Sequence, residues 1–141
     1  MALSEAARQF LNERRFATVA TINADGTPQL SVMWYLLRSD MLIFNTEKDR
    51  RKARNLLRDR RMALCVEDEY RYVTVSGSVE IVDDPAVAQS DIRELTSRYK
   101  GMAAADEYYQ RVFVPFERVS YYLPLDNVIE QLKDEKTRSS G

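Results

Sequence analysis

The residues best suited to chemistry are crowded into one stretch, NTEKDRRKARNLLRDRR, residues 45–61. Residues 47–61 hold eight bases and three acids, a local charge of +5 in a chain of net charge −1, so the remainder carries −6. Asp49 is a natural helix N-cap, which puts Arg50, Arg51 and Lys52 in the first helical turn. That end of a helix favours acids, and each base there costs roughly a few tenths of a kcal/mol unless an anion sits among them. An anion in that place gains free backbone N–H groups and the helix dipole together. Phosphate suits the set. Arg50 or Arg51 can fork onto two oxygens, Lys52 adds a point charge, and Thr46 offers a hydroxyl from the end of the preceding strand. Asn55, one turn on from Arg51, is expected to reach toward the same side. The chain has four glycines and neither G-x-x-x-x-G-K nor G-x-G-x-x-G, so a phosphate site here must use side chains. Two other readings stand beside this one: a solvated basic face, and a nucleic-acid surface extended by Arg58, Arg60 and Arg61. The acidic remainder would repel a long polyanion and disfavours nucleic acid.

The rest of the composition narrows the chemistry. There is one cysteine, Cys65, and no histidine. An internal disulfide, Cys/His zinc sites, a Ser-His-Asp triad and a His-ligated haem are excluded. No signal-peptide run or membrane-length apolar stretch is seen, and a cytoplasmic, reducing location is the simplest expectation. At 141 residues, 45% hydrophobic and 30% charged, the chain suits one globular domain that needs no staples.

The elements that must hold the basic run in place follow from hydrophobic period. Residues 4–13 read as an amphipathic helix capped by Ser4, with Leu3, Ala7, Phe10 and Leu11 on one face. FATVATI (16–22) is a strand, Asp25-Gly26 a hairpin turn, and PQLSVMWYLL (28–37) the return strand. MLIFNT (41–46) is a third strand. The basic helix follows at about 50–58, with Ala53, Leu56 and Leu57 as its apolar stripe. Arg50 and Lys52 flank that stripe, and Arg51, Arg54 and Arg58 point further out. MALCVE (62–67) and YVTVSGSVEIV (72–82) are strands, the second with Gly77 marking a bulge or a close approach. Asp84-Pro85 opens a helix to about Lys100. DEYYQRV reads as helical, and 112–123 as the last strand, weakened by Pro115. Residues 124–141 read as a short helix and a frayed tail. Short turns between the first strands make the sheet antiparallel, and about six such strands are expected to close into a barrel.

The segments VATINADGTPQLSVMWY, LIFNTEKDRRKARNLLRDRRMALCVED and VSGSVEIVDDP resemble the pyridoxamine 5′-phosphate oxidase-like family. The likeness spans about residues 10–123 and is nearest to the small F420-dependent (deazaflavin) oxidoreductases. It implies an α+β, mainly β fold: a six-stranded antiparallel split β-barrel with flanking helices, the core at 10–123 of a single domain 1–141. In that family strand two carries D-G-x-P and then groups that meet a flavin ring. Strand three ends in a hydroxyl residue, and an R-K or R-x-K pair opens the next helix to hold phosphate. The matching positions here are Gln29 and Ser31, then Thr46, then Arg50, Arg51 and Lys52, with Asn55 following. Asp59-Arg60-Arg61 matches the family's next strand start. Val32, Met33 and Trp34 lie on the strand that resembles the flavin-facing one.

The resemblance implies an oxidoreductase that uses coenzyme F420, or FMN, to pass hydride to a small conjugated substrate. A non-catalytic flavin or tetrapyrrole carrier of the same fold is the alternative. The family's homodimer seam, where the ring lies, implies a homodimer. The chain departs from the B6 oxidase, which has a basic residue near the place of Ser31 and a C-terminal Arg and His grip on pyridoxal phosphate. By residue type, Trp34 reads first as a core residue. Tyr70 and Tyr72 read as ring-stacking, seam or ordinary strand aromatics. Tyr108, Tyr109, Tyr121 and Tyr122 are expected at an interface. Cys65 is expected to act as a small buried hydrophobe rather than a nucleophile.

Overall fold

In the computed structural model, which describes residues 3–133, alternation decides the first strands. Strand β1 (Ala17–Ile22) buries Ala17, Val19 and Thr21 and turns Thr18 outward. The expected hairpin turn follows. Gly26 adopts a φ of +88°, and the Asp25 carboxylate accepts hydrogen bonds from the Thr27 backbone N–H (3.0 Å) and hydroxyl (2.6 Å). Strand β2 (Pro28–Met33) returns antiparallel, pairing Ala17 with Met33 and Ile22 with Pro28.

The single return strand expected over 28–37 is corrected to two. Strand β3 (Leu36–Arg38) resumes only after Trp34 and Tyr35, and in a different sheet. Tyr35 is the reason. Its side chain is fully buried and its hydroxyl donates to the Leu11 carbonyl at 2.8 Å. Its backbone N–H donates to the Tyr99 hydroxyl instead of to a neighbouring strand. Strand β4 (Met41–Glu47) then leads into helix α2 (Arg51–Arg58). Strands β5 (Arg61–Asp68) and β6 (Arg71–Ser78) form the next hairpin. The long strand expected over 72–82 also divides, because buried Val79 donates its N–H to the Arg60 carbonyl and the chain crosses to β7 (Glu80–Val82). At Gly77 an added Cβ would stand 3.4 Å from the Leu123 side chain, a close approach of sheet to sheet.

Helix α3 (Pro85–Lys100) starts as the sequence indicates, with Asp84 accepting from the Ala86 and Val87 N–H groups and Pro85 in the first turn. Helix α4 (Met102–Tyr108) runs into a π-helical turn at Tyr109–Phe113. The last strand expected from residue 112 therefore begins later, as β8 (Arg118–Pro124). The expected C-terminal helix is replaced, within the described residues, by strand β9 (Asn127–Gln131). It pairs along β6 from Tyr72–Gln131 to Ser76–Asn127. The tail over 134–141 lies outside the described residues. Helix α1 (Glu5–Asn12) is tied to β9, since the Ser4 hydroxyl donates to Glu130 at 2.5 Å while capping its own helix.

All strand pairs are antiparallel. The expected six-stranded closed barrel is corrected: among the described residues nine strands form two open sheets, β2-β1-β5-β6-β9 and β3-β4-β8-β7. Between them lie Val19, Leu64, Val66, Val73 and Val75 from the first, and Leu42, Phe44, Val119, Tyr121 and Leu123 from the second, sealed by Phe10 and Leu11 of α1. Each aliphatic or Phe side chain so buried contributes roughly 1.5–3 kcal/mol. A smaller core of Ile92, Leu95, Tyr99 and Tyr109 fixes α3 and the π-helical turn against Trp34, Leu36 and Phe113.

Candidate functional site

The N-cap of α2 is Arg50, not Asp49 as its sequence suggests. The Arg50 N–H donates to the Glu47 carbonyl at 3.2 Å, so the chain turns over residues 47–50. The first helical carbonyl is then that of Arg50, which accepts from Arg54. No acid occupies the first turn and no side chain caps it. The dipole clash anticipated for this helix is therefore present.

Beside that helix start is an open cavity of about 330 Å³. Its polar end is made by Asn45, Thr46 and Glu47 at the end of β4, by Arg50 and Lys52, and by Arg118 at the start of β8. Its apolar end is made by Val32, Met33 and Trp34, with Tyr108 and Phe113. Trp34 is fixed by stacking on Tyr99 (centroids 4.9 Å apart, planes 4° apart) and by the edge of Phe113 at 5.9 Å. Burial, and then the charges of Arg50 and Arg118, hold the Lys52 amine below the ordinary lysine pKa. Burial likewise depresses the Arg118 guanidinium, against the pull of Glu47 and with added repulsion from Arg50.

A buried chain of hydrogen bonds supports the polar end. Arg118 Nε donates to Asn45 Oδ1 at 2.6 Å. Asn45 Nδ2 donates to the Ala88 carbonyl (2.9 Å) and to Ser120 Oγ (3.0 Å). Ser120 and Tyr122 both donate to Asp91 Oδ2 at 2.8 Å, and Arg38 closes the chain on Asp91 Oδ1 at 3.0 Å. Arg118, Asn45, Ser120 and Asp91 are all buried, so the links among them are shielded from water, while Arg38 and Tyr122 close the chain at a partly exposed end.

Of the residues singled out from sequence, Val32, Met33, Thr46, Arg50 and Lys52 meet at this cavity, with Trp34. The others do not. Asn55 was expected to face the same side but is 3% exposed and turned away. Its Nδ2 lies within hydrogen-bond distance of Thr21 Oγ1, Asn23 Oδ1 and Gln29 Oε1, and its Oδ1 accepts from Arg58 at 2.8 Å. Gln29 belongs to that cluster, and Ser31, paired with Val19 between Gln29 and Met33 on one face of β2, is not among the residues that line the cavity. Arg51 borders a separate groove with Asp25, Arg54 and Arg58. Tyr72 is on β6, paired with Glu67 and Gln131, at a distance from the cavity lining.

Other expectations change in the same way. Leu57 is exposed rather than part of the apolar stripe. Tyr109 and Tyr121 are buried within this chain, Tyr122 is half-buried with its hydroxyl donating to Asp91, and Tyr108 lines the cavity. Cys65 is half-buried on the outer side of the larger sheet rather than in the core. Burial and Glu67 raise its thiol pKa, the direction opposite to that of an activated thiolate. Sequence reasoning missed Arg118, Asn45 and Phe113. The signal for Arg118 was the period of RVSYY, which sets a base, a serine and a tyrosine on one strand face. Among the described residues no group of three or more His, Cys, Asp or Glu is arranged to hold a metal, and no helix is long and apolar enough to cross a membrane.

Two antiparallel sheets flanked by helices, with a cation-lined cavity where a strand runs into a helix, define a mainly β, α+β class of protein. The family model for pyridoxamine 5′-phosphate oxidase matches residues 3–122, and the chain belongs to that family. Among solved structures it is similar to a conserved hypothetical protein, Rv2991, from Mycobacterium tuberculosis. The identity is 28%, covering 94% of this chain and 86% of that one, with a TM-score of 0.77. It is similar to an F420 reductase at 28% identity, covering 92% of this chain and 100% of that one, with a TM-score of 0.73. It shares its fold with the heme storage protein HutZ from Vibrio cholerae at 18% identity, covering 94% and 97%, with a TM-score of 0.66. Among curated proteins none matches.

Proposed function

We propose that this chain is an oxidoreductase that binds coenzyme F420, or alternatively FMN, in the cavity beside α2. The observation that carries this reading is the meeting of Thr46, Arg50 and Lys52 with Val32, Met33 and Trp34 around one cavity. The first three would hold a phosphate, and the last three would form a wall for a planar ring. The residues fit such a group because Lys52 and Arg118 are cations held in partial burial, with the single carboxylate of Glu47 among them at the polar end. When bound, the cofactor would supply hydride chemistry; the chain's own residues bind the phosphate and shield the ring from water. The 28% likeness to an F420 reductase favours F420 over FMN, and an acidic tail would have to leave the cavity to meet Arg54 and Arg58 in their separate groove. The substrate in this reading is a small conjugated molecule.

The reading includes a homodimer in the cytoplasm. The outer side of the larger sheet exposes Phe16, Leu30, Val32 and Ile129, with Val32 65% exposed at the cavity mouth. A second copy would cover this face. The test is a fluorescence titration of the apo protein with FMN and with F420, followed by turnover of the reduced cofactor with conjugated acceptors. Saturable binding, tighter for F420, and acceptor-dependent reoxidation are expected. Absence of binding to both would overturn the proposal.

A further inference from the structure

Arg118 stands outside the trio Thr46, Arg50 and Lys52 assigned to the phosphate above, yet its surroundings are those of a binding residue. It is 7% exposed and lies on the cavity wall. The ring of Phe113 covers its guanidinium carbon at 4.6 Å, and Asn45 holds its Nε. Asn45 brings no charge. Its amide nitrogen is committed to the Ala88 carbonyl and Ser120, so its oxygen must face Arg118. The guanidinium is thereby aimed and dried without being neutralised.

The nearest carboxylate is Glu47, which the β4–β8 pairing sets directly across from Arg118. Its Oε1 is 3.9 Å from Arg118 Nη1, and its Oε2 is 3.4 Å from Arg50 Nε. Both separations exceed those of a charge-assisted hydrogen bond, about 2.7–2.9 Å. One half-buried carboxylate is thus spread between two guanidiniums and satisfies neither. Burial first, and then repulsion from Arg50, depress both Lys52 and Arg118, with Arg118 adding to the effect on Lys52 and Glu47 only partly opposing that on Arg118.

We propose that Arg118 is a specificity-determining residue: with Arg50 and Lys52 it forms a three-cation site for one phosphate-type anion, and Glu47 is the internal counter-ion that this anion displaces. The anion site stands on this geometry alone; its assignment to a flavin or deazaflavin phosphate rests on the function proposed above. The occupant is a planar conjugated molecule carrying a phosphate ester, with its ring toward Trp34. Asn45 is a positioning residue that acts through Arg118.

Two substitutions with opposite signs test this. FMN and riboflavin share a ring and differ by the phosphate. Arg118→Met should weaken FMN about tenfold or more while changing riboflavin less than about twofold. Arg118→Lys should fall between. Glu47→Gln should tighten FMN by roughly three- to tenfold and leave riboflavin unchanged. A parallel arm uses inorganic phosphate alone. At matched ionic strength it should raise the thermal midpoint of the wild type, raise it further in Glu47→Gln, and have little effect in Arg118→Met. Equal losses for FMN and riboflavin in Arg118→Met would mean that Arg118 merely shapes the cavity, and would overturn the proposal. So would Glu47→Gln binding FMN or phosphate no better than the wild type, a readout that holds even where Arg118→Met does not fold. If neither FMN nor F420 binds but phosphate stabilises the protein through Arg118 and Glu47, the anion site stands and the cofactor reading falls. If FMN binds with full affinity to Arg118→Met and Glu47→Gln, the cofactor reading stands and this proposal falls.

Discussion

Helix α2 carries arginine on two sides, and the two sides live in different electrostatic worlds. On the outer side, Arg58 donates to the Ile22 carbonyl and to Asn55, and Arg54 donates to the Asp49 carbonyl. Just past the helix, Arg61 clasps Asp59, whose carboxyl is held down at about 2 chiefly by that hydrogen bond. These cations are solvated and have protein partners. On the inner side, Arg50 and Lys52 border a cavity with Arg118, and Arg50 and Arg118 share Glu47 at long range. A run of bases in sequence is therefore two structures: a surface that needs nothing and a site short of negative charge.

The sharpest way to break this comparison is to remove each side separately. Replacing Arg50 and Lys52 together with Ala should weaken FMN or F420 by about a hundredfold or more, since two charge-assisted contacts are lost. Arg51→Ala should cost less than about threefold, although Arg51 is the immediate neighbour of both. Fluorescence titration of the three proteins reads this directly, and equal losses would erase the distinction. The denaturation midpoint of the double variant should stay level or rise slightly, because a base is removed from the first turn.

Asn55 sharpens the comparison from the opposite direction, since it is a buried hub rather than a binding group. Asn55→Ala removes the buried amide that links Thr21, Gln29 and Arg58, leaving Thr21 and Gln29 only each other and Arg58 only the Ile22 carbonyl, and should cost about 1–3 kcal/mol of stability in urea denaturation. Affinity of the folded protein for cofactor should hardly change.

Alkaline titration separates lysine from arginine. The depressed pKa of Lys52 means that its positive charge disappears at a lower pH than an ordinary lysine's, so anion affinity should decline by a few-fold as pH rises from 8 to 10. Lys52→Arg should flatten the lower part of that profile and leave the decline near the top of the range to Arg118, whose guanidinium burial depresses to about 10. The smallest effect is expected on the outer side. Replacing Arg54 and Arg58 with Ala should leave FMN unchanged and weaken F420 only about two- to threefold, an effect that salt removes.

The local signals in the sequence were good guides where one element decided the outcome. The Asp25-Gly26 turn, the Asp84-Pro85 start of α3 and the amphipathic α1 needed no tertiary information. The inner set Thr46, Arg50 and Lys52 was legible for the same reason, being contiguous across one strand–helix junction. What was hidden depended on distant partners. The break between β2 and β3 hangs on the Tyr99 hydroxyl, 64 residues away in sequence. Asn55 was misplaced because its partners, Thr21 and Gln29, arrive from another hairpin. Arg118 enters the cavity only through the pairing of β8 with β4. The nine-strand count exceeds six because Tyr35 and Val79 each bend a single hydrophobic run from one sheet to the other, which adds two strands, and β9 forms where a helix was expected, which adds the third.

Strand β9 joins the start of α1 and the edge of β6 in one clasp. It covers β6 over residues 72–76, and its Glu130 receives the Ser4 hydroxyl that caps α1. Truncation after Asp126 would uncover the ladder groups of β6 and set α1 loose from its anchor at once. Such a bared margin invites the same margin of another molecule, so the shortened protein should turn into a self-associating one. Shortening at the front, by deleting residues 1–4, would leave β9 in its ladder and should spare the protein that fate.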